Sequence, residues 1–203
     1  MLIWINGAFG SGKTQTAHEL QRRVADAHVA DPELLGYAIR KMLPAPARGD
    51  FQDPPQWRAA VVDTLEQAEA AASGPVLVPM TIVRDDYFDE IVGGLRDRGV
   101  DVRHYTLAAT PETLKRRLRS RVSSLGGWLV GSNETWAIQQ IPRCVAALAQ
   151  DRYATHVPTD GLSTDQVVER IARDAGLQLT RPRLGRARYQ ARRVAVGIRH
   201  IRL

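Results

Sequence analysis

Cysteine is almost missing from this 203-residue chain. The single one, Cys144, excludes an internal disulfide and any cysteine-built metal centre. The five histidines show no metal-ligand spacing. No apolar run approaches the roughly 20 residues that cross a bilayer. Met1-Leu2-Ile3-Trp4-Ile5 reaches Asn6-Gly7 without the basic flank of a secretory signal. Together these absences set the expectation of a reduced, cytoplasmic protein. Lysine is scarce too, three residues against 25 arginines, the bias of a GC-rich genome. No internal repeat or low-complexity tract appears.

Acidic residues are absent from 180–203, where eight arginines stand (181, 183, 186, 188, 192, 193, 199 and 202). With those set aside, the net +6 of the whole chain becomes about −2 for residues 1–179. Basicity is therefore local, and a uniformly basic nucleic-acid binder is disfavoured, DNA-binding proteins included.

What remains is an ordinary globular composition, 44% apolar and 25% charged, enough for one domain with a buried core. Short apolar runs alternate with helical patterns, as in a parallel α/β sheet. Strands are expected at Leu2–Ile5, His28–Ala30, Pro75–Val83, Val102–Ala108 and Thr155–Pro158. Helices are expected over 14–25, 33–42 and 56–72, around Phe88–Leu95, from Thr110 through Val122, over about 134–150, and from the capping box Ser163-Thr164-Asp165-Gln166 onward. The body, residues 1–179, ends near Leu179. A Ser- and Gly-rich stretch over 123–133 suggests a mobile lid spanning about 121–143.

The strongest motif is Gly7-Ala8-Phe9-Gly10-Ser11-Gly12-Lys13-Thr14, a full match to G-x-x-x-x-G-K-[ST] between an apolar strand and an amphipathic helix. Its glycines let backbone N–H groups turn inward onto phosphate oxygens. Lys13 places a charge on the β and γ phosphates, and the Thr14 hydroxyl suits Mg²⁺. A nucleoside triphosphate such as ATP is the expected ligand.

A phosphate loop serves hydrolysis and transfer alike, and two features favour transfer to a small molecule. Asp31 ends the second strand, where a carboxylate can take an acceptor hydroxyl's proton; its other reading is a cap on the helix that starts at Pro32, and the two roles can coexist. Arg117 and Arg121 lie one helical turn apart just before the lid, placed to neutralise a moving phosphoryl group. Arg116 and Arg119 read as a solvated face. The third strand ends in Val78-Pro79-Met80-Thr81 and lacks the acid with which many phosphate-loop enzymes hold Mg²⁺. Asp31 or the phosphates themselves would then complete the site around Thr14.

The loop, the arginine pattern and Val157-Pro158-Thr159-Asp160-Gly161-Leu162-Ser163 resemble the nucleoside monophosphate, shikimate and chloramphenicol kinases. That resemblance implies a P-loop NTPase fold, with five parallel strands ordered 2-3-1-4-5 and helices on both faces. It would place Arg117 against adenine, Arg121 on phosphate, and residues 159–163, Asp160 included, beside the base. More narrowly, Ile3 through Thr16, Asp31-Pro32-Glu33, Asp50-Phe51-Gln52-Asp53 with Trp57-Arg58, and Val78 through Thr81 resemble the tunicamycin-resistance (TmrB-type) proteins. This implies an ATP-binding protein that protects a bacterium from a lipid-linked uridine nucleoside.

Kinases of this kind hold the acceptor between the second and third strands, where Tyr37, Arg40, Phe51, Gln52, Asp53 and Trp57 fall. Gln52 and Asp53 suit a uracil edge or sugar hydroxyls, and Phe51 or Trp57 a stacking face. Met80 and Thr81 suit a pocket floor. Trp57 also continues an apolar stripe with Val61 and Leu65, so core burial is its other reading. Trp128 in the lid and Arg143 beyond it are further candidates, and Cys144 reads as a small core residue.

The tail, 180–203, interleaves arginine with Val194, Val196, Ile198 and Ile201. It suits peripheral contact with anionic lipid at the inner face of the plasma membrane, docking on its own body, or an acidic partner such as RNA. The functional expectation is an ATP- and Mg²⁺-dependent phosphotransferase acting on a hydroxyl of tunicamycin or a related uridine nucleoside. The alternatives are a protein that sequesters the drug without transfer, and a housekeeping nucleoside or sugar kinase.

Overall fold

The structure, a computed structural model, describes residues 1–124 and 131–199, without the side chains of 121–124, 131–134, 186, 193 and 197–199. Five parallel strands form one sheet: β1 (Leu2–Gly7), β2 (His28–Val29), β3 (Val76–Pro79), β4 (Val102–Ala108) and β5 (His156–Pro158). Their spatial order is β2-β3-β1-β4-β5, with Trp4 opposite Val78 on one side and His104 on the other.

β1 is buried along its whole length, so its apolar residues alternate between two cores rather than between core and water. Leu2 and Trp4 join Val61, Leu65, Ile91 and Leu95 on one face. These come from α3 (Pro55–Ala71) and from a continuous helical stretch made of α4 (Asp85–Phe88), a π turn (Asp89–Gly93) and α5 (Gly94–Asp97). Ile3 and Ile5 join Leu20, Val168 and Ile171 on the other, beneath α1 (Lys13–Arg23) and α8 (Thr164–Asp174). The expected helices thus cover both faces.

A third, smaller core holds α6 (Pro111–Ser124) and α7 (Gly131–Leu148) over the loop after β1, through Ala8, Leu114, Leu118, Ala137, Ile141 and Cys144. Cys144 is buried there, as expected, and burial pushes its thiol up. Trp128 and the middle of the expected lid lie outside the described residues.

The third strand is shorter than its apolar run suggests. Past Pro79 the chain turns away, and Met80, Thr81 and Ile82 stay buried as a connection under the site. The tail is a helix, α9 (Arg186–Arg199), that lies on α1 and α8, while α2 (Glu33–Met42) follows β2. Of the three destinations open from sequence, docking on the body is the one its described residues adopt.

Candidate functional site

The loop after β1 bends through two left-handed glycines, Gly10 at φ +83° and Gly12 at φ +100°. A side chain at Gly10 would also come within 3.0 Å of the Leu114 carbonyl, so the loop and α6 approach closely because that residue has none. Lys13, only 9% exposed, donates from Nζ to the carbonyls of Gly7 at 2.9 Å and Ala8 at 3.2 Å. Its ammonium is thus held inside the loop at the mouth of α1, whose N-terminus adds positive potential. Ser11 Oγ is buried without a hydrogen-bond partner among the described residues, a donor suited to a phosphate oxygen.

Asn6 and Thr81 hold this loop in place. Asn6 Oδ1 accepts from the N–H of Gly7 at 2.8 Å and of Ile82 at 3.1 Å. Its Nδ2 donates to the Ile82 carbonyl at 2.9 Å and faces His104 Nε2 at 3.2 Å. Thr81 Oγ1 donates to the Gly7 carbonyl at 2.8 Å. Asn6 was not singled out from sequence; a polar residue ending a fully apolar strand was its signal.

Phe9 through Thr16 form one wall of a cleft of about 1430 Å³. Arg117 reaches it from α6, donating to Thr159 Oγ1 at 3.1 Å, to the Thr159 carbonyl at 2.7 Å and to the Ser11 carbonyl at 3.4 Å. The guanidinium therefore ties the loop to the chain after β5. Arg143 also lines the cleft, while the side chain of Arg121 lies outside the described residues.

Most of the residues expected to hold an acceptor share this cleft. Tyr37, Arg40, Phe51, Gln52, Asp53, Met80 and Thr81 line the same cleft. Gln52 Nε2 donates to the Thr81 carbonyl at 3.0 Å, and the Tyr87 hydroxyl donates to Asp53 at 2.7 Å. Beneath them the buried Arg58 donates to the carbonyls of Gln52 and Asp53 at 2.7 and 2.6 Å and pairs with Glu90. The Arg58 and Arg84 guanidiniums lie 4.2 and 4.0 Å from the centre of the Tyr87 ring. An otherwise irregular loop is thus made rigid.

Three residues fall elsewhere. Trp57 is fully buried in the core against Phe51 and does not line the cleft; its apolar stripe, not its ring chemistry, decides its place. Asp160 turns to the start of α6, accepting from the Thr110 N–H at 3.0 Å and hydroxyl at 3.0 Å. Hydrogen bonds from Thr113 and Thr110 hold its carboxyl below the usual range. Asp31 accepts from the Glu33 N–H at 3.0 Å, capping α2, and is not among the described residues lining the cleft, whereas Glu33 is.

Trp136, 51% exposed, stands edge-on to Phe9 at 5.0 Å and also lines the cleft, as do Glu33, Arg84 and Tyr87. None of these was expected to do so. Trp136 sits on a helix whose pattern already accounted for its apolar residues, so no local signal set it apart.

Residues after β2 and β3 form one end of the cleft and residues after β4 and β5 the other, with the phosphate loop between them because β1 is central.

Residues 2–127 match the AAA domain family. Comparison with curated proteins returned no match. Among solved structures, the tunicamycin resistance protein of Deinococcus radiodurans is 35% identical, with a TM-score of 0.73 covering 89% of this chain and 99% of that one. Shikimate kinase from Bacteroides thetaiotaomicron is 16% identical (TM-score 0.56, covering 87% and 99%). A gluconokinase from Sinorhizobium meliloti is 18% identical (0.54, covering 85% and 94%). These last two share the fold.

Proposed function

The chain belongs to the tunicamycin-resistance (TmrB-type) family of P-loop, kinase-like AAA domains, and on that footing we propose that it is an ATP-dependent phosphotransferase modifying a hydroxyl of tunicamycin or a related uridine nucleoside. The observation that supports this reading is that Phe9 through Thr14, Arg117, Gln52 and Asp53 line one cleft.

Lys13, Ser11 and the loop N–H groups bind and orient the phosphates, with Lys13 exchanging its carbonyl partners for phosphate oxygens. Arg117 holds the nucleoside end. Gln52, Asp53 and Phe51 position the acceptor. Mg²⁺ fits the Thr14 hydroxyl together with oxygens the nucleotide brings; it would supply charge neutralisation on the phosphates. Among the described residues no three His, Cys, Asp or Glu stand close enough to hold a metal unaided.

The proton goes to a carboxylate after β2. Sequence pointed to Asp31; the lining of the cleft supports Glu33, with Asp31 fixing the turn that presents it. A panel of acceptors (tunicamycin, uridine, gluconate, shikimate) incubated with Mg²⁺-ATP and followed by ADP release tests the substrate class. Turnover with tunicamycin above the others supports the proposal; preference for a sugar or shikimate makes this a housekeeping kinase.

One observation favours a second reading, sequestration of the drug without transfer: Asp31, the carboxylate expected from sequence to take the proton, is engaged at the start of α2. No helix among the described residues is long and apolar enough to cross a membrane. A cytoplasmic site of action, with lipid contact through exposed arginines such as Arg181 and Arg188, is part of the proposal.

A further inference from the structure

The tail is joined to the body by a specific strap. Leu179 bridges Val24, and Thr180 donates from its N–H and hydroxyl to the Arg23 carbonyl at 2.7 and 3.1 Å. Arg23 and Arg22 in turn donate to the carbonyls of Arg181 and Pro182 at 3.1 and 2.7 Å, and Arg183 pairs with Glu169 on α8. Beyond the strap, the Tyr189 hydroxyl donates to Thr164 Oγ1 at 2.6 Å and Arg192 to the His18 carbonyl at 3.1 Å. Val196 is buried. These contacts fix α9 on α1 and α8.

So fixed, α9 presents Tyr189, Gln190 and Val194 to the cleft, beside Gln15, Leu162 and Thr164. Thr164, the partner of Tyr189, opens α8 in the connection after β5, to which Arg117 is tied through Thr159. No tail arginine is among the described residues lining the cleft; the helix contributes a ring, an amide and an isopropyl group there. That set suits a flat heteroaromatic base, with the amide able to donate to and accept from its edge, and does not suit phosphate.

We propose that α9 forms a wall of the nucleotide site, with Tyr189 and Gln190 contacting the base of the nucleoside triphosphate. The inference rests on the nucleotide reading of the cleft and adds a specificity-determining element from the segment that looked most separable in the sequence.

The test compares binding of Mg²⁺-ATP and of inorganic tripolyphosphate, which has no base, by calorimetry on the full chain. Tyr189→Ala and Gln190→Ala are each expected to weaken ATP about three- to tenfold, the worth of one good aromatic or polar contact, and to leave tripolyphosphate unchanged. Tyr189→Phe, which keeps the ring and loses only the bond to Thr164, should retain most of the ATP affinity and separates base contact from anchoring. Unchanged ATP binding in both alanine variants would overturn the proposal. So would tighter ATP binding, which would make α9 an obstruction, or an equal loss for tripolyphosphate. Failure of the unaltered chain to bind ATP would instead overturn the nucleotide reading itself, so the two failures are distinguishable.

Discussion

The Asn6 side-chain amide faces His104 Nε2 at 3.2 Å, joining the strand that carries the phosphate loop to its neighbour. Because two backbone N–H groups point at the Asn6 oxygen, its nitrogen is the donor. His104 must then accept at Nε2 while Nδ1 carries the proton toward the Ala154 carbonyl at 3.2 Å. That tautomer is neutral, and desolvation by burial pushes the imidazole down to about 4.

A pH dependence follows. The folded His104 stays neutral over the range from about 6.5 to about 4 in which the unfolded chain takes up a proton. The unfolded state therefore binds more protons there, and stability falls as pH drops through this window. The contribution is about 3 kcal/mol at its fullest. Urea unfolding between pH 7 and pH 4 should show it in the unaltered chain and not in His104→Gln. Equal pH slopes would dismiss the assignment.

Trp57 is expected to govern stability rather than substrate binding. Trp57→Ala should cost about 3–5 kcal/mol, as large core truncations do. Trp57→Phe should cost less, because it also removes an indole N–H without a hydrogen-bond partner among the described residues. Under the phosphotransferase reading, the KM for the acceptor should be unaltered in Trp57→Phe. A rise of about tenfold or more would return this residue to the site.

Arg117 makes three hydrogen bonds that a lysine cannot reproduce together. Arg117→Ala should weaken ATP about tenfold or more, and Arg117→Lys should recover little of it. Full recovery by lysine would mean that charge alone matters, not the clamp between Ser11 and Thr159.

The two carboxylates after β2 are separable by rate. Glu33→Gln should slow transfer roughly 10²- to 10⁴-fold with nucleotide affinity retained, the worth of a general base. Asp31→Ala should act less on rate and more on the melting temperature, since it removes a cap worth about 1 kcal/mol. The opposite ranking would reinstate Asp31 as the proton acceptor.

Local chemistry decides which parts were readable in advance. The phosphate loop announces itself because backbone turning and phosphate binding demand glycines and a lysine at fixed spacing, and Arg117 follows from helical periodicity. Asp31, Asp160 and Trp57 are ambiguous in sequence because one residue type serves two ends: a carboxylate caps a helix as readily as it takes a proton, and an indole fills a core as readily as it stacks. The strand order came through resemblance, not periodicity. The docking of α9 left no local trace, since its partners lie as far away as His18, 174 residues from Arg192. A basic amphipathic pattern does not say which surface it meets.

Under the proposed function, the nucleotide's terminal phosphoryl group crosses the cleft to a drug hydroxyl. Mass spectrometry of tunicamycin after incubation with the protein, Mg²⁺ and ATP tests it directly, with Lys13→Ala as the control. The account predicts one added phosphate with the unaltered chain and none with the variant. Tunicamycin recovered bound to the protein but unchanged in mass would contradict it and make this a drug-sequestering protein.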